Sequence, residues 1–483
     1  MFSLSENPLS GHPNVRWLIL TNTLIGAFMA NLDASIVNVA LPTIAGKMNV
    51  SMSVIQWVVT AYLLAVSSSL LLFGRLADMI GRRKVFSSGF LVFTLGSLFC
   101  AFSGNIWQLV ASRLLQSLGA STLMAIAPAI VTSSFGPQER GKALGINATT
   151  VAVGGLIGPP IGGFLVSSFG WTSIFYINLP LGIFGYIFAL MVIPPDTLKN
   201  DKESFDFLGA TLFALGMISL LFGINNGQEW GWNSAIILSI IAGLILLATF
   251  FFLQTRVQHP MLDLSIFKVR PLFFGNLSSL LFYTATFCNS VLMPFYLQRG
   301  FNYSPSKIGL IMMSLPLTMA VLAPITGHVS DRIGALFLTS SGLIAVAAGF
   351  LTLSLLTVTS TVPHMLFGLI LIGIGSAMFI SPNNNSVMSC VTPQKLGVAS
   401  GIYALVRNVG MITGIALSVS LFEGYRMSHP AALASSVSSE RIDTVSIAYH
   451  LVMLAAMLIA LAGAAVSFKR GDRENPRKHR AAA

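Results

Sequence analysis

The stretch "WLILTNTLIGAFMANLDASIVNVAL" at Trp17–Leu41 decides the fold class, because it is long enough to cross a lipid bilayer as one helix. About 20 apolar residues at a rise of 1.5 Å per residue span a hydrocarbon core. One carboxylate, that of Asp33, lies among these apolar side chains. An ionisable group at such a depth is costly unless it faces a partner, water or a substrate. Two interpretations stay open: a permanent ion pair with a buried arginine, or a proton or cation site.

The composition of the whole chain agrees with a membrane protein. Its 483 residues are 54% hydrophobic and only 9% charged, and the mean hydropathy is +0.80. A soluble domain carries about 25% charged residues. The apolar runs are long and continuous rather than alternating, which predicts helices instead of a β-barrel. We therefore expect an all-α protein embedded in the lipid bilayer, with the first helix retained because no clear signal-peptide cleavage site follows it.

The positive charges indicate the orientation. The formal net charge is +11, and most Lys and Arg residues fall in alternate loops and in a basic tail at residues 469–483 that includes Arg470. The positive-inside rule then predicts a multi-pass plasma-membrane protein with both termini in the cytoplasm. This distribution explains the excess of positive charge, so we expect no nucleic-acid partner.

The chain contains about fourteen apolar runs. They lie at residues 17–41, 54–74, 85–103, 105–126, 143–167, 171–193, 207–224, 234–253, 272–296, 305–327, 336–357, 364–381, 396–421 and 446–468. An even number of spans agrees with both termini lying on one side of the membrane.

An internal repeat indicates how these helices are organised. "GRLADMIG" at Gly74–Gly81 returns as "GHVSDRIG" at Gly327–Gly334, which predicts two copies of a six-helix unit. The spacing leaves room for one additional helix pair between the copies. The predicted segments are a first bundle at 1–193, a loop at 194–206, an inserted helix pair at 207–253, a linker at 254–271, a second bundle at 272–468 and a tail at 469–483.

At these motifs the sequence resembles the major facilitator superfamily and, more narrowly, its fourteen-helix drug:proton antiporters. The matching stretches are "GRLADMIGRRK" at Gly74–Lys84, "LDASIVNVALP" at Leu32–Pro42, "QWVVTAY" at Gln56–Tyr62, "GGLIGPPIGG" at Gly154–Gly163 and "FDFLG" at Phe205–Gly209. The resemblance implies two six-helix bundles plus two additional central helices, fourteen in total. It also implies exchange of a small molecule against protons by alternating access.

Asp33 has a predicted partner in Arg113. Each lies eight residues from the outer end of its apolar run, so both are about 12 Å deep measured from the same face. We expect them to form the proton-coupling pair, although a permanent salt bridge explains the same spacing. Glu423, at the outer end of another run, is expected to be a solvated cap.

The glycine-rich stretch of the fifth span combines Gly154, Gly158, Gly162 and Gly163 with Pro159. Glycines at helical spacing let a neighbouring backbone approach closely, and proline bends a helix. Ordinary close contact between membrane helices explains the pattern as well. The resemblance implies that this helix seals the two halves against each other and limits proton leak.

The loop that carries the repeated motif is expected to act as a conformational gate, and its candidate residues are Gly74, Asp78, Gly81, Arg82 and Asp331. We expect Asp78 to lie against the positive N-terminal end of the helix that begins near Leu396, and Asp331 to do the equivalent in the second half. The basic residues of this loop are explained by topology alone.

Aromatic and amide side chains are candidates for the wall of a substrate cavity. The set comprises Gln116, Phe282, Tyr283, Phe287, Asn289 and Phe379. Walls with many aromatic and few polar groups suit lipophilic substrates. Aromatic residues that face lipid or other helices explain any single member equally well.

The sequence predicts a transporter and not an enzyme. It has no GxxxxGK[ST] loop, and its three cysteines, Cys100, Cys288 and Cys390, are scattered, so we expect no metal and no cofactor besides a proton gradient. The expected function is proton-coupled export of lipophilic or monocationic drugs and dyes by a monomer. Two alternatives stay open: a dedicated exporter of a metabolite, siderophore or lipid, and a membrane sensor or assembly partner that transports nothing.

Overall fold

The computed structural model describes residues 14–194, 206–227, 230–257, 269–357, 359–391, 396–429 and 438–470. Every regular element in these ranges is an α-helix. Fourteen segments of the described chain are long and apolar enough to cross a membrane. The prediction of an all-α membrane protein with fourteen spans is therefore confirmed.

The helices of the first six spans include two that are interrupted. Their bounds are α1 Val15–Met48, α2 Met52–Ile55, α3 Trp57–Ile80, α4 Arg82–Ala101, α5 Ile106–Ser134, α6 Pro137–Phe169, α7 Ser173–Tyr176 and α8 Asn178–Val192. The second span is broken at Gln56 and the sixth at Ile177. Several helices extend beyond the apolar runs from which they were predicted.

The remaining spans follow in the same manner. Their bounds are α9 Phe207–Asn226, α10 Ser234–Gln254, α11 Arg270–Gly300, α12 Pro305–Met312, α13 Ser314–Ile333, α14 Ala335–Ser354, α15 Val362–Met388, α16 Leu396–Ser428 and α17 Ser438–Phe468. Helices α12 and α13 form one span that is interrupted at Met313.

The described residues divide into two compact units. Unit 1 contains those within Met1–Leu220, Ile241–Met261 and Ser304–Leu310, and unit 2 contains those within Leu221–Ile240, Leu262–Tyr303 and Ile311–Ala483. The segment boundaries expected from the repeat stay a prediction.

The repeated motif has the same backbone conformation in both copies. Gly81 connects α3 to α4 with φ of 111°, and Gly334 connects α13 to α14 with φ of 88°. Residues other than glycine rarely adopt backbone φ angles in this positive range. The two copies therefore need glycine at this position for the same reason, which is a tight turn between consecutive spans.

Glycines also set the distance between neighbouring helices in unit 1. A Cβ atom on Gly96 of α4 would lie 2.5 Å from the backbone of Gln116 in α5, and one on Gly119 of α5 would lie 2.4 Å from the backbone nitrogen of Phe93 in α4. Small residues at membrane-helix interfaces permit such close approach. This contact brings α4 and α5 together at the depth of Arg113.

The inserted helix pair is joined by the side chain of Asp206, which precedes α9. Its carboxylate accepts hydrogen bonds from the Gly209 backbone nitrogen at 2.8 Å and from Gln254 Nε2 at 2.5 Å. Gln254 is the last residue of α10. The "FDFLG" stretch thus ties the beginning of one helix to the end of the other.

We predict that Gly119→Ala destabilises the protein by about 1–3 kcal/mol, the usual cost of overpacking. The added methyl group would collide with the α4 backbone, which cannot move aside as a side chain can. The measurement is the melting temperature of the purified protein, followed by tryptophan fluorescence. Gly104→Ala is the control, because its Cβ would meet only Gln108 Oε1 at 3.6 Å. Equal melting temperatures for the two variants would contradict the prediction.

Candidate functional site

The carboxylate of Asp33 lies inside unit 1, where α1 contacts α5 and α8. Asp33 and Arg113 are each only 1% exposed. Asp33 Oδ2 accepts a hydrogen bond from Arg113 Nη1 at 2.5 Å, which is also an ion pair. Asp33 and Arg113, which the sequence predicts to lie at the same depth, are therefore in direct contact in the structure.

Two amide side chains complete the hydrogen bonding of the carboxylate. Asp33 Oδ1 accepts from Gln116 Nε2 at 2.9 Å and from Asn178 Nδ2 at 2.8 Å. Gln116 lies one helical turn after Arg113 on α5, and Asn178 is the first residue of α8. A buried charge costs little only when its lone pairs are satisfied in this way. Three donors from two helices hold the Asp33 carboxylate in place.

The guanidinium group of Arg113 has partners of its own. Its Nε donates to the backbone oxygen of Val58 at 3.2 Å, and its Nη1 also donates to Gln116 Oε1 at 2.5 Å. The ring of Tyr62 lies 4.1 Å from the guanidinium carbon, close enough for a cation–π interaction. Helix α3 thus holds the positive end of the pair through a carbonyl and an aromatic ring.

Ser97 of α4 extends this network by one bond. Its hydroxyl accepts from Gln116 Nε2 at 2.7 Å and donates to Phe93 O at 2.9 Å. Gln116, predicted as a residue of the substrate cavity, is fully buried and contacts both members of the ion pair. The structure places it inside the charged network.

Protonation of Asp33 would change the balance of charge in this arrangement. If Asp33 binds a proton, the carboxyl group becomes neutral and its attraction for Arg113 falls, so the guanidinium group gains freedom to move. The new O–H group needs an acceptor. Asn178 Oδ1 has no hydrogen-bond partner among the described residues, and rotation of that amide would present it to Asp33.

The glycine-rich stretch of α6 packs directly on the helix that carries Asp33. Cβ atoms on Gly154 and Gly158 would lie 3.1 Å from Phe28 O and 2.5 Å from Ser35 Cβ. Ser35, two residues after Asp33, donates from its hydroxyl to Gly155 O at 3.1 Å. The predicted glycine contacts are therefore contacts of α6 with α1.

Another face of the same helix contacts Ser304–Leu310, which also belongs to unit 1. A Cβ on Gly163 would lie 2.3 Å from Pro305 O, and one on Gly309 would lie 2.2 Å from Pro159 O. The hydroxyl of Ser306 donates to Gly163 O at 3.2 Å. The fifth span thus has two close backbone contacts on two faces, and both depend on glycine.

The aromatic candidates for the substrate cavity lie in unit 2. Phe282 of α11 stacks on Phe379 of α15 with ring centroids 4.6 Å apart, and Tyr283 lies beside Phe282. A Cβ on Gly414 of α16 would lie 3.1 Å from Phe287 Cβ. Asn289 is buried and accepts a hydrogen bond from the Tyr449 hydroxyl at 3.2 Å. Whether any of these side chains contacts a substrate stays a prediction.

Only part of the predicted gate loop lies in the described structure. Among the described residues, no atom of a neighbouring element lies within 4 Å of a Cβ built on Gly74, and Arg82 Nη1 donates to Ala129 O at 3.5 Å. The side chains of Asp78 and Asp331 lie outside the described part, as do those near Leu396. Their predicted roles therefore stay predictions.

Glu423 differs from its expected environment. It was predicted to be a solvated cap, but it is only 6% exposed and accepts from Arg426 Nη1 at 2.8 and 2.9 Å. The arginine one turn later covers the carboxylate and neutralises it.

Three members of the Asp33 network were not selected from the sequence: Tyr62, Ser97 and Asn178. Each lies six to eight residues from the outer end of its apolar run, so each is about 9–12 Å deep, like Asp33 and Arg113. The same depth argument would have found them. Amides and hydroxyls are common in membrane helices, however, so depth alone does not separate these residues from others.

Comparison with known proteins identifies the family of this chain. The family model for the Major Facilitator Superfamily matches residues 23–415 and, in a second match, residues 275–482. The chain belongs to the Major Facilitator Superfamily. It is therefore a membrane transporter and not an enzyme, as the sequence predicted.

Relatives within the superfamily have different substrates in their names. The chain is 38% identical over 407 residues to the riboflavin transporter RibZ of Clostridioides difficile, covering 84% of this chain and 88% of RibZ. It is 32% identical over 410 residues to the multidrug resistance protein Stp of Mycobacterium tuberculosis, covering 84% of this chain and 76% of Stp.

The fold also matches solved structures of the superfamily. A bacterial homologue of the human lysosomal transporter Spinster, crystallised in an inward-facing, unoccupied conformation, superposes with a TM-score of 0.68. The sequences are 15% identical, and the match covers 95% of this chain and 98% of the other. This likeness concerns the fold alone.

We predict strong coupling between Asp33→Asn and Arg113→Gln. Asp33→Asn alone leaves a buried cation without its partner, which typically costs about 3–5 kcal/mol, whereas the double variant removes both charges. The double variant should therefore melt at a higher temperature than the sum of the single effects implies. The exposed Arg16–Glu139 pair is the control, because surface pairs couple weakly. Additive effects at Asp33 and Arg113 would contradict the prediction.

Proposed function

We propose that the protein is a proton-coupled exporter that exchanges inward proton flow for the outward movement of small lipophilic molecules. The observation that carries the proposal is the ion pair between Asp33 and Arg113, held in a dry network of amides and a hydroxyl. Ionisable residues inside a membrane bundle mark proton and ion pathways more often than they serve structure alone.

The coupling follows from the chemistry of one carboxylate. In its charged form Asp33 holds Arg113 and the two amides, and in its protonated form it releases part of that attraction. A substrate that favours one charge state shifts the equilibrium between two conformations by its difference in affinity. Moving one charge through a potential of 100 mV adds about 2.3 kcal/mol.

The direction and site of transport are part of the same proposal. The positive-inside distribution supports a plasma-membrane protein with both termini in the cytoplasm. Similarity to Stp, whose name contains multidrug resistance, supports export of several compounds. The fourteen spans and the motif matches support the fourteen-helix drug:proton antiporter family.

A second candidate is a dedicated exporter of one metabolite. It is favoured by the 38% identity to a riboflavin transporter, which exceeds the 32% identity to Stp. The two candidates differ in substrate range. Efflux of riboflavin together with inertness towards unrelated dyes would select the dedicated exporter, and efflux of many dyes would select the multidrug transporter.

We expect Asp33→Asn to abolish proton-driven efflux in everted membrane vesicles while the protein is still expressed. The asparagine amide cannot bind and release a proton near neutral pH, although it keeps most of the shape of the aspartate side chain. Uptake of a fluorescent substrate is compared with and without an imposed pH gradient. Glu139→Gln, at an exposed position, is the control. Unchanged gradient-driven transport by Asp33→Asn would remove this carboxylate from the mechanism.

We expect Gly158→Ala to increase proton leak through the protein in the absence of substrate. Its methyl group would collide with Ser35 at 2.5 Å and push α6 away from α1, next to Asp33. Gly155→Ala is the matched control on the same helix, because no described atom of a neighbouring helix lies within 4 Å of its Cβ. Leak is measured as decay of a pH gradient in substrate-free liposomes. Equal decay rates in both variants would contradict a sealing role for this contact.

A further inference from the structure

A cluster of arginine and amide side chains in unit 2 lies outside the network described above. Arg470 follows the last helix and belongs to the predicted basic cytoplasmic tail, yet it is only 3% exposed. Its Nη1 donates to Asn383 Oδ1 at 2.8 Å. Its Nε and Nη2 have no hydrogen-bond partner among the described residues. A buried guanidinium group with two unused donor atoms is costly and needs an explanation.

The surroundings of Arg470 are built from α11 and α15. Asn383 is fully buried, and its amide donates to Ser279 Oγ at 2.7 Å and to Gly275 O at 3.2 Å. A Cβ on Gly275 would lie 2.9 Å from Arg470 Nη2, so glycine at this position makes room for the guanidinium group. The side chain is therefore fixed by its neighbours in unit 2.

A second arginine lies in the same bundle. Arg407 is on α16, one turn before Gly410, where a Cβ would lie 2.9 Å from Tyr283 Cβ on α11. Tyr283 lies within electrostatic range of Tyr403 and Arg407, and Tyr403 lies within range of Arg470. The Arg407 Nε and the Asn276 Oδ1 atoms also have no hydrogen-bond partner in the described chain.

The cluster carries two positive charges and, within the described part of the chain, no compensating acid. Among the described residues, no carboxylate lies within ion-pair distance of Arg407 or Arg470, in contrast to Arg113 in unit 1. Burial lowers the pKa of Arg470 to about 10, so this group is still charged at neutral pH. A buried guanidinium group such as that of Arg470, with no compensating acid among the described residues, attracts an anion strongly because the surrounding dielectric constant is low.

We propose that this cluster binds an oxyanion, a carboxylate or phosphate, carried by the transported molecule. Guanidinium donors suit such groups because their planar fork matches two oxygen atoms. Arg407 is partly exposed, whereas Arg470 is almost fully buried. Phe282 and Phe379, next to Tyr283, stack on each other and are almost fully buried, so the surroundings of the cluster are apolar. This inference rests on the proposed function and adds a substrate class: lipophilic molecules with an acidic group, rather than monocations.

The test uses two dyes with one ring system and opposite charge, fluorescein as the anion and rhodamine 123 as the cation. Their binding to the full-length protein in lipid nanodiscs is measured by fluorescence anisotropy, without a pH gradient. We expect wild type to bind fluorescein at least about tenfold more tightly than rhodamine 123, the scale of one charge-assisted hydrogen bond. Arg407→Gln and Arg470→Gln should each lose about tenfold in fluorescein affinity.

The controls separate binding from folding. Arg299→Gln neutralises an exposed cation on α11 and should leave both affinities unchanged. Arg470→Gln removes an unpaired buried charge, so its melting temperature should equal or exceed that of wild type, and Arg470→Lys should retain part of the fluorescein affinity. A general loss of structure would instead lower the melting temperature and weaken both dyes.

Several results would overturn the proposal. These are equal binding of the two dyes or tighter binding of rhodamine 123 by wild type, unchanged fluorescein affinity in both glutamine variants, and binding of neither dye. Inorganic phosphate is titrated against fluorescein in parallel. If phosphate raises the melting temperature without displacing fluorescein, the site takes a free anion and the assignment to the transported molecule is wrong.

The result is independent of proton coupling. Dye binding in nanodiscs is measured at equilibrium, so loss of proton-driven export would remove the proposed function and leave the oxyanion site standing. Conversely, gradient-driven efflux by wild type together with unchanged fluorescein affinity in Arg407→Gln and Arg470→Gln would remove the oxyanion site and leave the exporter standing.

Discussion

The ion pair between Asp33 and Arg113 is the constraint on which unit 1 depends. Two full charges in a dry helix bundle are tolerable only if each compensates the other and if the remaining lone pairs and donors find partners. Gln116 and Asn178 satisfy the carboxylate, and the Val58 carbonyl and the Tyr62 ring satisfy the guanidinium group. Helices α1, α3, α5 and α8 are thus joined at a single depth by one polar network.

The glycine contacts of α6 with α1 and of α4 with α5 help to fix the position of this network. Helix α6 approaches α1 within two residues of Asp33, and helix α4 approaches α5 at Gln116. Helices in such close backbone contact shift between discrete arrangements and do not deform gradually. A small displacement of α6 or α4 therefore also moves the Asp33 carboxylate or the Gln116 amide. A change of charge at Asp33 can act on the helices in the reverse direction.

Arg113 differs from Arg407 and Arg470 in its charged partner. Arg113, in unit 1, is matched by Asp33, and this pair is neutral as a whole. In unit 2 Arg407 and Arg470 have no acid within ion-pair distance among the described residues, whereas Glu423 is matched by Arg426. The neutral Asp33–Arg113 pair suits the proposed proton exchange. The guanidinium groups without an acid suit the proposed binding of an anionic ligand.

The sequence predicted the number and type of spans, the Asp33–Arg113 contact and the glycine-rich helix, because span length, depth and helical spacing can be counted along the chain. It did not identify Asn178, Ser97 or Tyr62, since polar uncharged residues occur throughout membrane helices. Nor did it predict the burial of Arg470 or Glu423. Both lie at helix ends, where the sequence records charge and depth but not which neighbouring side chains cover them.

The most direct test of the central claim is infrared difference spectroscopy of the carboxyl group of Asp33 in the purified transporter, with Asp33→Asn as the reference. The spectra are recorded across a pH range with and without a transported substrate. The account predicts a carboxyl signal that appears as the pH falls, decreases on addition of substrate and is absent in the variant. A carboxylate that stays in one charge state at every pH, with and without substrate, would contradict proton exchange at Asp33 and leave a permanent salt bridge.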